Sequence, residues 1–569
     1  MEGVECDNVT GHVIGIDLSH SCLHGSLFAN NSLFQLQNLQ WLDLSFNSLG
    51  GSLLENTSSL FQFHGLQRLN LADNRFYGII SSKLFSQLVS LTHLNLAYND
   101  FDGLIPHQIH LLSSLVSLDL SFYDFQLRFD DQGFDMLARN LTKLRNLVLR
   151  TVDMSDVALT SFLNLPLSLE HLSLRWCNLH GEFPTQVFQL PNLKVLDLSM
   201  NKNLTAYLPN TSWSSGLELL DLSHCGLRGS IPASFGNLTQ IISVDLSGNS
   251  LEGQIPDVFG NLRKLTFLSF FSCSLSGPLP IAIFNLTKIT RLDLSYNHLE
   301  GLLPNHVSEL QLLEELGLYN NSISGGVPSW LFTLPSLRRL DLSYNKLVGP
   351  IDRIQKLSSI QEVDLSYNNI GGPIPDSIFD LVNLISLDLS LNNLSGPIPA
   401  FIFDLVNLNS LYLSSNKLSG PIPDFSCDLV NLTSLDLSSN NLSGPIPDSI
   451  FHLVNISDLY LSSNNLSGVI KSDMLSKLTS LFALDVSSNS LLSLSTSGND
   501  VNYSFPRLES VNFSGCSVRQ FPNFFRTSNL KYLDLSNNMI SGGISKWEAE
   551  GWEGLVTLDL SHNFLTALE

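Results

Sequence analysis

One apolar pattern recurs along most of this chain: LxxLxLxxNxL, as in "LISLDLSLNNL" from Leu384 to Leu394. Inside it Leu387 and Leu389 alternate with Asp388 and Ser390, the period of a half-buried strand. The alternation predicts Leu387 and Leu389 facing inward, with Asp388 and Ser390 facing out. Aligning the chain on this phrase gives 23 units, most of them 24 residues apart. A period in that range marks a solenoid, which grows by stacking units and not by enlarging one core. Stacked strands predict a parallel sheet along one side.

The Asn closing the phrase turns the chain inward, where its buried amide needs backbone partners. Asn249, Asn297, Asn345, Asn392, Asn416 and Asn440 occupy this ladder position. Cys177, Cys225, Cys273 and Cys516 stand in the same place, as small buryable substitutes with a weaker donor. Tyr123 and Val152 fall on it in the least regular stretch, where one step lengthens to 29 residues. After the ladder residue, "LSGPIP" supplies a glycine for an unusual backbone angle and a proline that ends ladder hydrogen bonding, which predicts a turn along the flank. An outer apolar block follows, such as "SIFDLVNL", where Ile378, Phe379 and Leu381 are expected to fill the core.

The rest of the composition narrows the function. A net charge of −23 opposes nucleic acid, whose phosphates need basic neutralisation. Hydrophobic content of 43% argues against disorder. The seven cysteines (Cys6, Cys22 and Cys427 besides the ladder four) contain no CxxC pair, so zinc and thioredoxin-type sites have no support. Neither a signal peptide nor an apolar run long enough for a membrane helix is visible. Sixteen N-x-[ST] sequons point to the secretory route. Asn8, Asn140, Asn237, Asn285, Asn393, Asn431 and Asn455 are candidate glycan sites. Asn320 and Asn512 lie on or beside strands and are expected to stay unmodified. The motifs GxxxxGK[ST], HExxH and GxSxG are absent, no His column accompanies the Asp and Ser columns, and the sequence calls for no enzyme activity, cofactor or metal.

Recognition is expected on the outward strand positions, because packing fixes the rest. The column between the strand leucines is mostly Asp, including Asp43, Asp119, Asp197, Asp221, Asp245, Asp293, Asp341, Asp364, Asp388 and Asp436, and reads as solvated framework. Departures from the repeat carry more information. Arg150, Arg175 and Trp176 form one cluster. Phe267, Phe271, Arg291, Tyr296, Tyr319, Arg339, Tyr344 and Tyr367 form another. Aromatic and Arg side chains dominate recognition surfaces through rigid contact area and forked donors. Glu315 and Glu362 alternate with Arg291 and Arg339, which predicts a ladder of surface ion pairs.

The consensus LxxLxLxxNxLSGxIPxxFxxL resembles the plant-specific class of leucine-rich repeats. "EGVECDNVTGHVIGIDLSHSCLHGSL" resembles the end of that class's N-terminal cap, typically CCxWxGVxC: Gly3, Val4 and Cys6 match GVxC, while Met1 stands where Trp is expected and the upstream cysteine pair is missing. "SSNSLLSLSTSGNDVNYSFPRLESVNFSGCSVRQFPNFF" resembles an irregular stretch of plant receptor-like proteins of the Cf/Ve type, which recognise pathogen molecules. The resemblance implies an α/β-type repeat solenoid: a right-handed superhelix with a long parallel β-sheet on the concave face. It implies a cap remnant over 1–12, repeats over 13–569 that are irregular around 121–170 and 489–530, and a chain truncated at its ends. It also implies the ligand-binding ectodomain of a single-pass cell-surface protein. The expected partners are a peptide, protein or oligosaccharide ligand and a membrane co-receptor kinase. A receptor-kinase ectodomain and a secreted inhibitor of microbial wall enzymes are the alternatives; the number of units opposes the inhibitor, and the irregular stretch favours the receptor-like protein.

Overall fold

The computed structural model describes residues 3–26, 32–52, 59–354, 358–424, 429–495, 505–522, 529–544 and 554–568. They divide into two units, Met1–Ser276 with Ala282–Ile289, and Gly277–Ile281 with Thr290–Glu569. Each unit is a stack of leucine-rich turns with its own parallel sheet.

In the first unit, strands at Val13–Asp17, Trp41–Asp43, Arg68–Asn70, His93–Asn95 and Ser117–Asp119 pair in chain order, and the pairing continues to Phe267–Ser269. Register is strict: Trp41 pairs with Arg68, Leu42 with Leu69 and Asp43 with Asn70. One face is buried, so a one-residue slip would expose every leucine. The first strand, Val4–Cys6, runs antiparallel to Val13–Asp17 and covers the edge of the stack. Asp7 shapes the intervening turn by accepting from the Val9 and Thr10 amides at 3.0 and 2.7 Å. In the second unit the same ladder runs from Arg291–Asp293 through Glu315–Gly317 and Arg339–Asp341 to Thr557–Asp559.

Leu387 and Leu389 are buried as the alternation requires. Ser390 is buried too, against the expectation that it faces solvent. The chain has already begun to turn at this serine, so the period of two ends with the second leucine. The "LSGPIP" segment also differs from the expected turn. Its first half is a second strand, and Asn393–Gly396 pairs in parallel with Lys417–Gly420. In the first unit Gly226–Ser230 pairs with Ser250–Gly253 in the same way. Gly396 ends its strand at φ +81°, and Pro397 behind it has no N–H to extend the pairing.

The outer apolar blocks form single 3-10 turns such as Ala400–Asp404 and Asp448–His452, which bury Ile402, Phe403, Ile450 and Phe451. Ile378 and Leu381 are buried likewise, while the side chain of Phe379 lies outside the described residues. The first unit adds an aromatic spine, Phe134, Phe162, Phe183, Phe188, Trp213, Phe235 and Phe259, with successive ring centroids 4.7–6.0 Å apart. Its long step holds a true helix, Asp131–Asn140, capped by Asp130 accepting from the Gly133 amide at 2.8 Å. Val152 occupies the ladder there and is buried. Tyr123 does not: it is 71% exposed, because a phenol ring cannot fit the ladder's buried site, and it packs on Tyr98 instead. The stretch around 489–530 contributes strands at Leu491–Ser495 and Ser510–Asn512, with 496–504 and 523–528 outside the described residues.

Candidate functional site on the strand faces

Each repeat turns its corner with three side chains. Asn249 donates to the carbonyls of Leu222, Leu246 and Ser247 at 2.8, 2.7 and 3.1 Å and accepts from the Leu227 amide at 3.1 Å. Asn345, Asn392, Asn416 and Asn440 repeat this set, and Asn297 donates to Leu294 and Ser295. Cys177, Cys225 and Cys273 keep the donation, to Leu149, Leu198 and Leu246 at 2.9, 3.1 and 3.3 Å, and their sulfurs are weaker acceptors for the ladder amides of the preceding repeat, Val152, Asn201 and Asn249. Burial pushes the thiols of Cys225 and Cys273 up to about 12, and that of Cys177 further up. Cys427 lies outside the described residues; Cys6 and Cys22 are exposed free thiols.

The aspartates are part of the corner and not merely solvated. Asp341 accepts from the Ser343 amide at 3.0 Å and from its hydroxyl at 2.7 Å, and Asp43, Asp197 and Asp221 do the same with their serines. Burial raises the carboxyls of Asp221, Asp341 and Asp388 above the usual carboxylate range. The residue before the ladder Asn adopts left-handed backbone in nearly every repeat: Trp176 at φ 56°, Tyr296 at 55°, Tyr344 at 52° and Tyr367 at 53°. Four of the candidate aromatics therefore share one structural position, a protruding corner.

In the first unit Arg150 donates to the Ser173 hydroxyl at 3.0 Å and lies 3.7 Å from the Asp197 carboxylate. Arg175 makes the same reach one repeat on, to Ser199 at 3.2 Å and Asp221 at 3.9 Å. Trp176 is 52% exposed and meets Phe125 edge-on at 5.7 Å. Phe267 and Phe271 are half-buried on the last strand of this unit and its corner. This face also holds a depression that no single repeat marks out. A groove of roughly 660 Å³ crosses several repeats, with Trp41, Arg68, His93 and His171 along it and Asn70 and Asn95 in its floor. The first four stand in one column, immediately before the first strand leucine, and the strand register alone would have revealed them. Burial lowers the pKa of His93 and His171, assisted by Arg68 and Arg150 respectively, so both rings are neutral at physiological pH.

In the second unit the predicted ion-pair ladder is present. Arg291 and Arg339 reach Glu315 at 3.1 and 3.6 Å, and Arg339 grips Glu362 at 2.7 and 3.3 Å. Tyr296 meets Tyr319 edge-on at 4.8 Å, and Tyr344 stacks on Tyr367 at 3.9 Å. Burial and the Tyr296 hydroxyl push the Tyr319 phenol up to about 12. The structure thus brings together Arg291, Tyr296, Tyr319, Arg339 and Tyr344 within one unit.

Among the glycan candidates, Asn8, Asn140, Asn237, Asn285, Asn431 and Asn455 are exposed, and Asn393 is half-buried on a flank strand. Asn431 and Asn455 donate to the Val406 and Val430 carbonyls, a second ladder on the outer turns. Asn512 takes the aspartate role and accepts from the Ser514 amide at 3.0 Å. Among the described residues no cluster of three or more His, Cys, Asp or Glu is arranged to hold a metal, and no helix is long and apolar enough to cross a membrane.

Two leucine-rich-repeat family models match the chain, one over 64–124, 287–347, 313–370, 358–418 and 430–491, the other over 38–60, 216–238, 240–262 and 529–547. Receptor-like protein 6 of Arabidopsis thaliana is 37% identical over 243 residues, covering 43% of this chain and 22% of that protein. Receptor-like protein Cf-9 of Solanum pimpinellifolium is 36% identical over 242 residues, 42% of this chain and 24% of its own length. The matches span about a quarter of these relatives. Among solved structures, the ectodomain of the Arabidopsis receptor kinase HAESA, in complex with the peptide hormone IDA and the co-receptor SERK1, superposes with a TM-score of 0.78 at 30% identity. That match covers 99% of this chain and 88% of that one. The plant peptide hormone receptor RGFR1 in complex with RGF2 gives 0.78 at 27% identity, covering 99% and 95%.

Proposed function

Because this chain belongs to the leucine-rich-repeat receptor-like proteins of plants, we propose that it is a ligand-binding ectodomain that recognises a pathogen-derived peptide and signals through a membrane co-receptor kinase. The observation that carries the reading is the groove from Trp41 to His171. There Asn70, Asn95 and Val148 interrupt the aspartate column, which keeps Asp43 and Asp119, and the rim carries an indole that donates to Glu5, a guanidinium and two neutral imidazoles. Such a surface offers hydrogen bonds and flat contact area to an extended backbone without a dense field of one sign. The superposition on ectodomains bound to peptide hormones supports a peptide over an oligosaccharide, and the resemblance of the irregular stretch to receptor-like proteins of the Cf/Ve type favours a role in defence. In this reading the ectodomain faces outward from the plasma membrane.

The test is a leaf assay with the full-length receptor. Peptide fractions from pathogen-infected apoplast should evoke an oxidative burst and co-purification of a kinase. Arg68→Ala with His171→Ala should abolish both while surface abundance stays normal. Replacing Tyr296 and Tyr319 with Ala should weaken the response through the candidate patch of the second unit. A full response from the groove double variant removes the groove from the reading. The ectodomain of a receptor kinase is the second reading, favoured by the near-complete coverage of the HAESA match; a kinase domain downstream in the native transcript would establish it.

A further inference from the structure

One repeat of the second unit changes both corner residues together. Where most repeats carry Asp in the strand and Ser two residues on, "ELGLYN" carries Gly317 and Tyr319. The tyrosine takes the serine position, and no side chain stands between Asp293 of the preceding repeat and Asp341 of the next. A Cβ on Gly317 would come within 2.9 Å of both the Asp293 Oδ1 and the Ser295 hydroxyl. The vacancy is a pocket of roughly 110 Å³, lined by Asp293, Ser295, Gly317, Tyr319 and Asp341, with Arg291, Glu315 and Arg339 at its rim.

A second anomaly coincides with the first. Ser45, Ser199, Ser223 and Ser343 spend their hydroxyls on the aspartate two residues before them. The Ser295 hydroxyl has no hydrogen-bond partner although the residue is 1% exposed. It borders the space that Gly317 leaves open. A buried hydroxyl without a partner is destabilising, and native proteins keep few of them.

We propose that this pocket is a cradle for a primary ammonium group of the peptide ligand, held by Asp293, Asp341 and the Ser295 hydroxyl. The inference rests on the peptide reading above and names one chemical feature of that peptide. An alkylammonium is compact, carries three donors and needs acceptors around it; the pocket presents two carboxylates and a hydroxyl oxygen. The cationic rim is held off by its own partners, since Arg291 and Arg339 lie against Glu315, and Arg339 also binds Glu362. Burial and the neighbouring carboxylates Asp364 and Asp293 raise the Asp341 carboxyl, a penalty that a bound cation relieves. A guanidinium fits less well, because its planar fork is wide for a slot one missing side chain across.

The experiment uses butylammonium as probe and butanol as its neutral counterpart, titrated into the intact chain at fixed ionic strength, with crystals soaked in parallel. Butylammonium should bind in the millimolar range and appear beside Ser295, and butanol should not. Gly317→Ala should abolish binding, and Asp341→Asn, which keeps an acceptor for Ser343, should weaken it at least tenfold; undiminished amide-exchange protection in the flanking repeats certifies that both variants fold. Nα-acetyl-lysine amide and glycinamide then separate the sources, a side-chain ammonium or a peptide N-terminus. Equal binding of butanol, undiminished binding by Gly317→Ala, or density for ordered water alone overturns the cradle. The probe requires no knowledge of the natural ligand, so a failed cradle with an intact leaf response leaves the peptide reading standing, and the converse result separates them equally well.

Discussion

Replacing Asn201 tests how the solenoid holds its corners. This residue is 1% exposed. It donates to the carbonyls of Leu174, Leu198 and Ser199 at 2.8, 2.7 and 3.3 Å and accepts from the amides of Cys177 and Leu179 at 2.9 and 3.1 Å. Asn201→Ala strands two buried amides. At about 1–3 kcal/mol each, the local loss is near 4 kcal/mol. Asn201→Cys copies what Cys177 and Cys225 already do, and its thiol can still donate to the Leu174 carbonyl, which recovers about 1 kcal/mol. Global melting is a poor readout, because each repeat touches only its neighbours. Amide hydrogen exchange is the right assay. Protection at Cys177 and Leu179 should fall about a thousandfold in the Ala variant and about a hundredfold in the Cys variant, with amides near Leu418 unchanged. Wild-type protection at Leu179 in the Ala variant, or an equal loss throughout the chain, would refute the reasoning.

Alkylation at pH 8 should modify Cys6 and Cys22 and spare Cys225, Cys273 and Cys516, whose thiols burial pushes up to about 12, 12 and 11; peptide mass spectrometry before and after denaturation checks this. Asp388→Asn should raise amide-exchange protection in its own and the flanking repeats at pH 7. Burial raises the folded carboxyl above its unfolded value of 3.8, so ionisation penalises the native state fully above the raised pKa, and the advantage of Asn should fade as pH falls through it toward 3.8. In protein made through the secretory route, glycopeptide analysis should find glycans at the exposed Asn237 and Asn285 and none at Asn512, whose side-chain oxygen is committed to the Ser514 amide.

The framework was legible because packing writes it in repeated residues. Strand leucines, ladder asparagines and their cysteine substitutes all occupy the places that the 24-residue period assigns. Ser390 was misplaced because alternation describes a straight strand and the serine already belongs to the corner. The flank strands escaped notice because two or three residues ending in Gly-Pro carry too little pattern to separate strand from turn. On the recognition faces, Arg291, Glu315, Arg339 and Glu362 could be paired from spacing alone, since one parallel register sets them side by side. The groove from Trp41 to His171 was missed for a different reason. Each of its residues is unremarked in its own repeat, and only reading down one strand column brings them together. The Gly317 vacancy is subtler still, because its meaning depends on a hydroxyl in the repeat before it.

The left-handed corner before each ladder residue costs about 1–2 kcal/mol for a side chain with a Cβ, yet His20, Phe46, Asp73, Tyr98, Thr151, Trp176, Met200, Ser272, Tyr296 and Leu391 all adopt it. Backbone pairing from one corner to the next, as from the Thr151, Trp176 and Tyr296 amides to the Arg175, Ser199 and Tyr319 carbonyls at 2.9, 2.8 and 2.9 Å, holds that angle whatever side chain rides on it. Such a site is an insulated variable: mutation can rewrite it freely, one repeat at a time, with folding left untouched. The strand faces thereby carry a row of interchangeable letters on an invariant grammar, and a new surface chemistry can arise by single substitutions from a stable ancestor.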